Sequence, residues 1–525
     1  MVEPSGEADV HDSPKRSVPA LIVRQWLAEW DDIRFSESAR RRQPPPHFYL
    51  FAMKAADLRR LSAVYRRKAD APRIHDQAVQ RRHTPERSQE IKAFIEGGFP
   101  WSELSIAKRA SDEYADLKMP GWLPTAVVAN ILGPHTPHAR GGIREKDRMV
   151  VRDEPGGTAT LMLPVEFDNP DWVPEIAPLE IIDGQHRLMA FEADEQLNGD
   201  YEVPVVAFFD LDITWQAYLF YMINIKPKRI NASLAYDLYP VLRVQEWLER
   251  APERASIYRD TRAQELTEVL WAHPESPWRS RINMLGDTGP EAGTVTQAAF
   301  IRSLTHSFVK KARGTAIGGL FGDAISSVES DVLGWTRTQQ SAFVVHLWKL
   351  IANAVSNTHV DWAEQLRAND PYFRPGVDAL DPAADPAFSS RNSLLATDQG
   401  VRGALQVVND MCYVSAETLE LTNWEPSTGL EEETLDPLAV TVELRQLERL
   451  PVTSFLERLA ESLALFDWRT ASTPSLSDAQ RRQQLVYRGS SGYKELRRQL
   501  ITLLSQSLYD DVKTAAETVL VKLRY

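Results

Sequence analysis

Two hydrophobic periods share the first 230 positions of the chain. The runs His47–Met53, Leu123–Leu132, Thr158–Val165, Leu179–Asp183 and Tyr201–Asp210 are short and apolar, several of them rich in aromatic or β-branched residues, which predicts strands. Between them apolar residues return every three or four positions. Leu58, Leu61 and Val64 share one helical face, Arg81–Phe94 forms a second helix stopped at Gly97-Gly98, and Thr214–Ile225 forms an aromatic-rich third. Val18–Trp30 places Leu21, Ile22, Trp26 and Leu27 at helical spacing and is expected to be a short helix after a polar tail. Arg40–Pro46 reads as a basic, proline-rich connector and Gly133–Arg148 as a mobile loop. Strands alternating with helices predict an α/β domain over residues 45–232, with residues 1–44 as tail and short helix.

From Ser233 onward the helical period dominates. Amphipathic segments run through 235–248, 263–272, 297–310, 340–355, 400–412, 450–465, 493–509 and 512–523. Loops rich in Pro and acid interrupt them at 371–392 and 423–437, and no repeat of roughly 20–50 residues is present. Residues 233–525 are therefore expected to form a mainly helical C-terminal region.

Leu179–Phe191 changes character within a few residues. An apolar run ends at Asp183-Gly184, and Gln185, His186 and Arg187 precede an amphipathic pattern, which predicts strand, tight turn and helix start. The first amides of such a helix attract anions. Arg187 suits bidentate phosphate binding, with a structural Arg–carboxylate bridge as the alternative. His186 suits phosphate hydrogen bonding or general acid–base work. Asp183 could orient Arg187, hold Mg²⁺ through water, polarise an attacking water, or only cap the helix. Gln185 could position a water, and Gly184 is a geometric requirement. Lys226, beside Asn224, could reach the same phosphates, and Lys228 a DNA backbone. Arg81, Arg82 and Arg87 make a second basic cluster, with Arg87 a candidate phosphate contact and Arg81 and Arg82 candidate DNA contacts.

Other signals are weaker. His135 and His138 lack a third ligand for zinc. Gly489–Lys494 lacks the Gly-Lys-Ser/Thr ending of a phosphate loop and reads as a glycine turn. Trp122, Trp215 and Trp278 read as core or interface residues in preference to base-stacking platforms. The lone cysteine, Cys412, excludes an internal disulfide framework and reads as a core residue. No apolar run approaches the roughly 18 residues of a membrane span, and Met1–Pro19 has no signal-peptide core, so a cytoplasmic protein is expected. The net charge of −13 excludes a wholly basic surface, yet Arg40–Arg42, Arg66–Lys68 and Arg81-Arg82 concentrate positive charge near the N-terminus.

The string Asp183-Gly184-Gln185-His186-Arg187 followed by Ala190-Phe191 resembles the signature of the DGQHR-domain family. Phe48-Tyr49-Leu50 with Leu58, Arg81-Arg82 with Ile91, Leu123–Leu132, Tyr218–Asn224 with Lys226-Pro227, and Ser276–Trp278 with Gln297–Phe300 resemble its further segments in order. The resemblance covers about residues 45–310. It implies a ParB/sulfiredoxin-like fold, DndB-like or DpdB-like proteins as relatives, and a turn that holds nucleotide phosphates. It further implies ATP with Mg²⁺, and DNA met directly or through partners of a modification or phage-defence cluster, of the deazaguanine-insertion or phosphorothioation type. A homo-oligomer is compatible with it. Gln185 stands where sulfiredoxin-like proteins carry a cysteine, which disfavours sulfinic-acid repair because that chemistry needs the thiol. Three functions stay open: an NTP-hydrolysing component of DNA modification, a non-catalytic DNA-binding regulator of the DndB type, and an interaction scaffold.

Overall fold

A computed structural model describes residues 16–35, 42–63, 85–134, 142–191, 201–224, 231–237, 256–286, 294–310, 317–322, 333–374, 377–378, 381–427, 436–474 and 476–524. The chain divides into two compact units, Met1–Arg229 and Ile230–Tyr525.

The first unit is α/β. Among the described residues its strands are β1 (Ser17–Arg24), β2 (His47–Lys54), β3 (Ser62–Ala63), β4 (Val127–Ile131), β5 (Val150–Glu154), β6 (Thr158–Met162), β7 (Leu179–Asp183) and β8 (Glu202–Phe209). They form one mixed sheet in the order β3-β7-β4-β8-β2-β1-β6-β5. β4 runs parallel to β8 and β3 parallel to β7, while the other pairs are antiparallel. The α-helices described beside the sheet are α1 (Ala55–Leu61), α2 (Pro85–Trp101), α3 (Ile106–Arg109), α4 (Gln185–Met189) and α5 (Ile213–Asn224). Leu58, Leu61, Ala129, Ile131, Leu179, Val205 and Ala207 are fully enclosed and form the centre of its core.

β1 corrects the helix expected at 18–30. Val18, Ala20 and Ile22 turn toward the core and Leu21 turns out, which is the period of two of a strand. A short apolar run satisfies both periods, and antiparallel partners on both sides, β2 and β6, satisfy its backbone as a strand. Only a 3₁₀ turn, Ala28–Asp32, follows. The α/β unit therefore begins well before residue 45. Val64, Arg81 and Arg82, His135 and His138, Lys226 and Lys228 lie outside the described residues.

The second unit is helical, with one two-stranded parallel pair among the described residues, β9 (Ile282–Asn283) and β10 (Val295–Thr296). Its longest helices are Arg337–Asn357, Asp398–Val414, Ser256–Ala272 and Gly489–Leu504. The last begins at the glycine turn predicted near 489 and follows the helix Asp478–Leu485, so no strand leads into it. Trp278 is fully buried and meets Phe300, Trp348 and Phe388 edge-on at centroid distances of 4.9, 5.2 and 5.5 Å. Such aromatic pairs each contribute about 1 kcal/mol beyond area burial. Cys412 is enclosed in the same core, where burial raises its thiol pKa. Asp410 and His346 are among the polar side chains buried in this core. Asp410 accepts from Arg497 Nε at 2.6 Å and faces Lys310 at 3.4 Å. His346 lies 3.2 Å from the Thr453 hydroxyl. Among the described residues no helix is long and apolar enough to cross a membrane.

Candidate functional site

The predicted strand, turn and helix at 179–189 are β7, Gly184 and α4. Gly184 takes φ 97°, ψ 11°, a conformation that L side chains rarely adopt. A Cβ there would stand 3.1 Å from Arg187 Nη2 and 3.2 Å from Val127 Cα, so space as well as φ calls for glycine.

A register shift aims Asp183. Ile181 pairs with Ala129, but Asp183 pairs with Val128, leaving Ile182 as the extra residue of a bulge. Side chains alternate along strands, so the bulge returns Asp183 to the sheet face that carries Glu180 and Asn130. α5 lies along β7 on that face. Its Asn224 donates to Asp183 Oδ1 at 3.1 Å, and two turns earlier the Gln216 amide donates to the Glu180 carboxylate. Asn130 is fully buried, accepting from Leu211 N at 2.9 Å and donating to Leu211 O at 3.4 Å. Burial raises the pKa of Glu180, and the Gln216 bond opposes part of that rise.

Arg187 is held from two directions. Nη2 donates to Asp183 Oδ2 at 2.7 Å, and Nη1 donates to Thr125 O at 2.7 Å and Thr125 Oγ1 at 2.5 Å. The Arg187 and Asp183 side chains remain 17% and 19% exposed, so the pair is reachable from solvent although largely enclosed. Gln185 is buried, and its Oε1 has no hydrogen-bond partner among the described residues. His186 presents a buried Nδ1, and its backbone oxygen accepts from Ser88 Oγ of α2 at 3.3 Å. Arg87, next to Ser88, is exposed in the first turn of α2. The structure thus brings Asp183, Gly184, Gln185, Arg187 and Asn224 together, with α2 docked through Ser88.

Sequence reading missed Thr125, Glu180, Gln216 and Asn130. Glu180 and Asn130 left a signal, a polar residue inside an apolar strand run. Thr125 left none, because it arrives from a loop 62 positions away. Of the two places expected for the tryptophans, core or interface, Trp122 does not take the core, being 77% exposed, whereas Trp278 is enclosed there.

Outside this site, a cavity of about 350 Å³ in the second unit is lined by His359, Glu364, Phe373 and Asp381 among others. Two further lining carboxylates, Asp378 and Asp385, already pair with Arg374 and Arg367. Among the described residues no three His, Cys, Asp or Glu side chains gather as a metal site. No protein-family model, curated protein or solved structure matches the chain.

Proposed function

We propose that the first unit is a nucleotide-binding module of the ParB/sulfiredoxin type. In this reading Asp183–Arg187 receives the phosphates of a nucleoside triphosphate, ATP foremost, in a cytoplasmic DNA-modification or phage-defence system. The observation that carries the reading is the state of Arg187. Its guanidinium is oriented in advance by Thr125 and Asp183, and three hydrogen bonds leave two of its five N–H donors for a ligand. A fork fixed before binding loses less entropy when it grips a phosphate. Gly184 lets the backbone approach closely, and Asn224, donating to Asp183 Oδ1 and to Phe220 O, braces the carboxylate at the rim. Arg87 is an exposed further cation on α2.

Hydrolysis would call on Asp183 or His186 to accept the proton of an attacking water. Both oxygens of Asp183 already accept one N–H donor each, and each keeps a second lone pair that could receive the proton. A single carboxylate makes no resident metal site. Mg²⁺ would arrive with the triphosphate, and no step here runs through it.

The closed Asp183–Arg187–Thr125 clamp also favours a second reading, an internal brace in an interaction scaffold. Turnover of ATP, CTP and GTP by wild type and Arg187→Ala, with and without DNA, separates the readings. Hydrolysis lost in the variant at unchanged folding supports the module. DNA binding with a steep salt dependence and no turnover supports a DndB-like regulator. A variant that loses only thermal stability supports the brace.

A further inference from the structure

The loop that supplies Thr125 also carries Trp122, and the loop is built to hold that indole outward. Tyr201 bridges the backbone on both sides of it, accepting from Leu123 N at 3.1 Å and donating to Gly121 O at 2.8 Å. Gly121 is wedged against α2, since a Cβ there would lie 1.6 Å from Phe94 O. Pro120 and Pro124 fix φ at either end. A large apolar ring is therefore exposed on a braced loop, where a mobile loop would let it fold down.

Trp122 lies three residues from Thr125, so their Cα atoms are no more than about 11 Å apart. Across the Asp183–Arg187 pair, the end of α5 brings Asn224 to Asp183 and exposes Tyr221 one turn earlier and Tyr218 a turn before that. α5 is an apolar helix whose only buried side chain is Gln216. The ligand such a place fits has a flat aromatic face at one end and an anionic, hydrogen-bonding group at the other.

We propose that Trp122 is the stacking platform for the nucleobase of the ligand whose phosphate meets Arg187. The base belongs either to a free nucleotide or to an unpaired position in a DNA strand. The inference rests on the phosphate reading of Arg187 and adds the base subsite to it. Aromatic stacking tolerates every base, so the platform supplies affinity with little base preference.

The test is a set of equilibrium titrations of wild type, Trp122→Ala, Trp122→Phe and Arg187→Ala with inorganic pyrophosphate, ATP, CTP and a short oligo-dA strand. Melting curves accompany each protein; the exposed position of Trp122 predicts unchanged melting for its variants. Trp122→Ala is expected to weaken nucleotide or strand binding about 10-fold, within the range that alanine substitution of a stacking ring produces. Trp122→Phe restores most of that loss, and pyrophosphate affinity stays unchanged in both. Loss confined to mononucleotides, or to the strand, identifies the source of the base. Arg187-dependent pyrophosphate binding with nucleotides no tighter than pyrophosphate, and no effect of Trp122→Ala, overturns the platform and leaves the phosphate site standing. Absence of binding to every probe overturns both.

Discussion

Gly184→Ala perturbs the site through two separable effects. Backbone at φ 97° costs a non-glycine residue about 1–2 kcal/mol. The new Cβ also stands 3.1 Å from Arg187 Nη2 and 3.2 Å from Val127 Cα. Val127 pairs in register with Val205 and is buried, so the guanidinium is the partner that gives way. The Arg187–Asp183 contact of 2.7 Å must then lengthen. A hydrogen bond to a charged group contributes about 1.5–3 kcal/mol, so partial loss brings the total to about 2–3 kcal/mol. For a unit of this size that lowers the melting temperature by roughly 4–10 °C. Gly156→Ala is the control. Gly156 has φ 89° with nothing within 4 Å of an added Cβ, so it carries the dihedral strain without the collision. Calorimetry and nucleotide titration of both variants decide the matter. The expected result is a loss of stability in each, larger for Gly184→Ala, with about tenfold weaker nucleotide binding in Gly184→Ala alone. Equal stability losses with unaltered nucleotide binding in both would refute the reasoning.

Further expectations concern the helical unit. The Thr453 hydroxyl donates to Leu447 O at 2.7 Å, so the His346 Nε2–H donates to Thr453. Burial lowers the His346 pKa from 6.5 to about 4. The unfolded chain therefore takes up this proton first, and stability present above pH 6.5 is lost as pH falls toward 4. The loss is about 2 kcal/mol at pH 5. Urea titrations at pH 7 and pH 5 should show that difference in wild type, reduced in His346→Leu; equal slopes in both would contradict it. Asp410→Asn leaves Lys310 and Arg497 facing a neutral group in the core and should cost about 3 kcal/mol by urea denaturation, whereas a loss under 1 kcal/mol would mean that the pair is solvated.

The strand-turn-helix at 179–189 was legible because its signals are local: an apolar run, an Asp-Gly turn and a new period. β2, β4 and β8 were legible for the same reason, being long enough or β-branched enough to declare themselves. β1 was not. Eight residues with apolar positions at both spacings are decided by their neighbours, and β6 arrives from more than 130 positions away. The aim of Asp183 was also hidden, since it depends on a one-residue bulge against β4 that leaves no mark in composition. α5 was predicted as a helix, but its pattern gave no hint that a glutamine would be its buried residue. That inversion comes from Glu180 on the strand beneath, a pairing of side chains 36 positions apart that only folding brings together.

The claim that Arg187 is a phosphate ligand is tested most directly by ATP titration of wild type, Arg187→Ala and Arg187→Lys, with melting curves for each. A bidentate fork predicts measurable wild-type binding, loss in Arg187→Ala and only partial recovery in Arg187→Lys, with the variants still folded at the titration temperature. Equal ATP affinity in all three proteins, with a lowered melting temperature as the only change, would show that Arg187 is a brace between β7 and the Thr125 loop and not part of a nucleotide site.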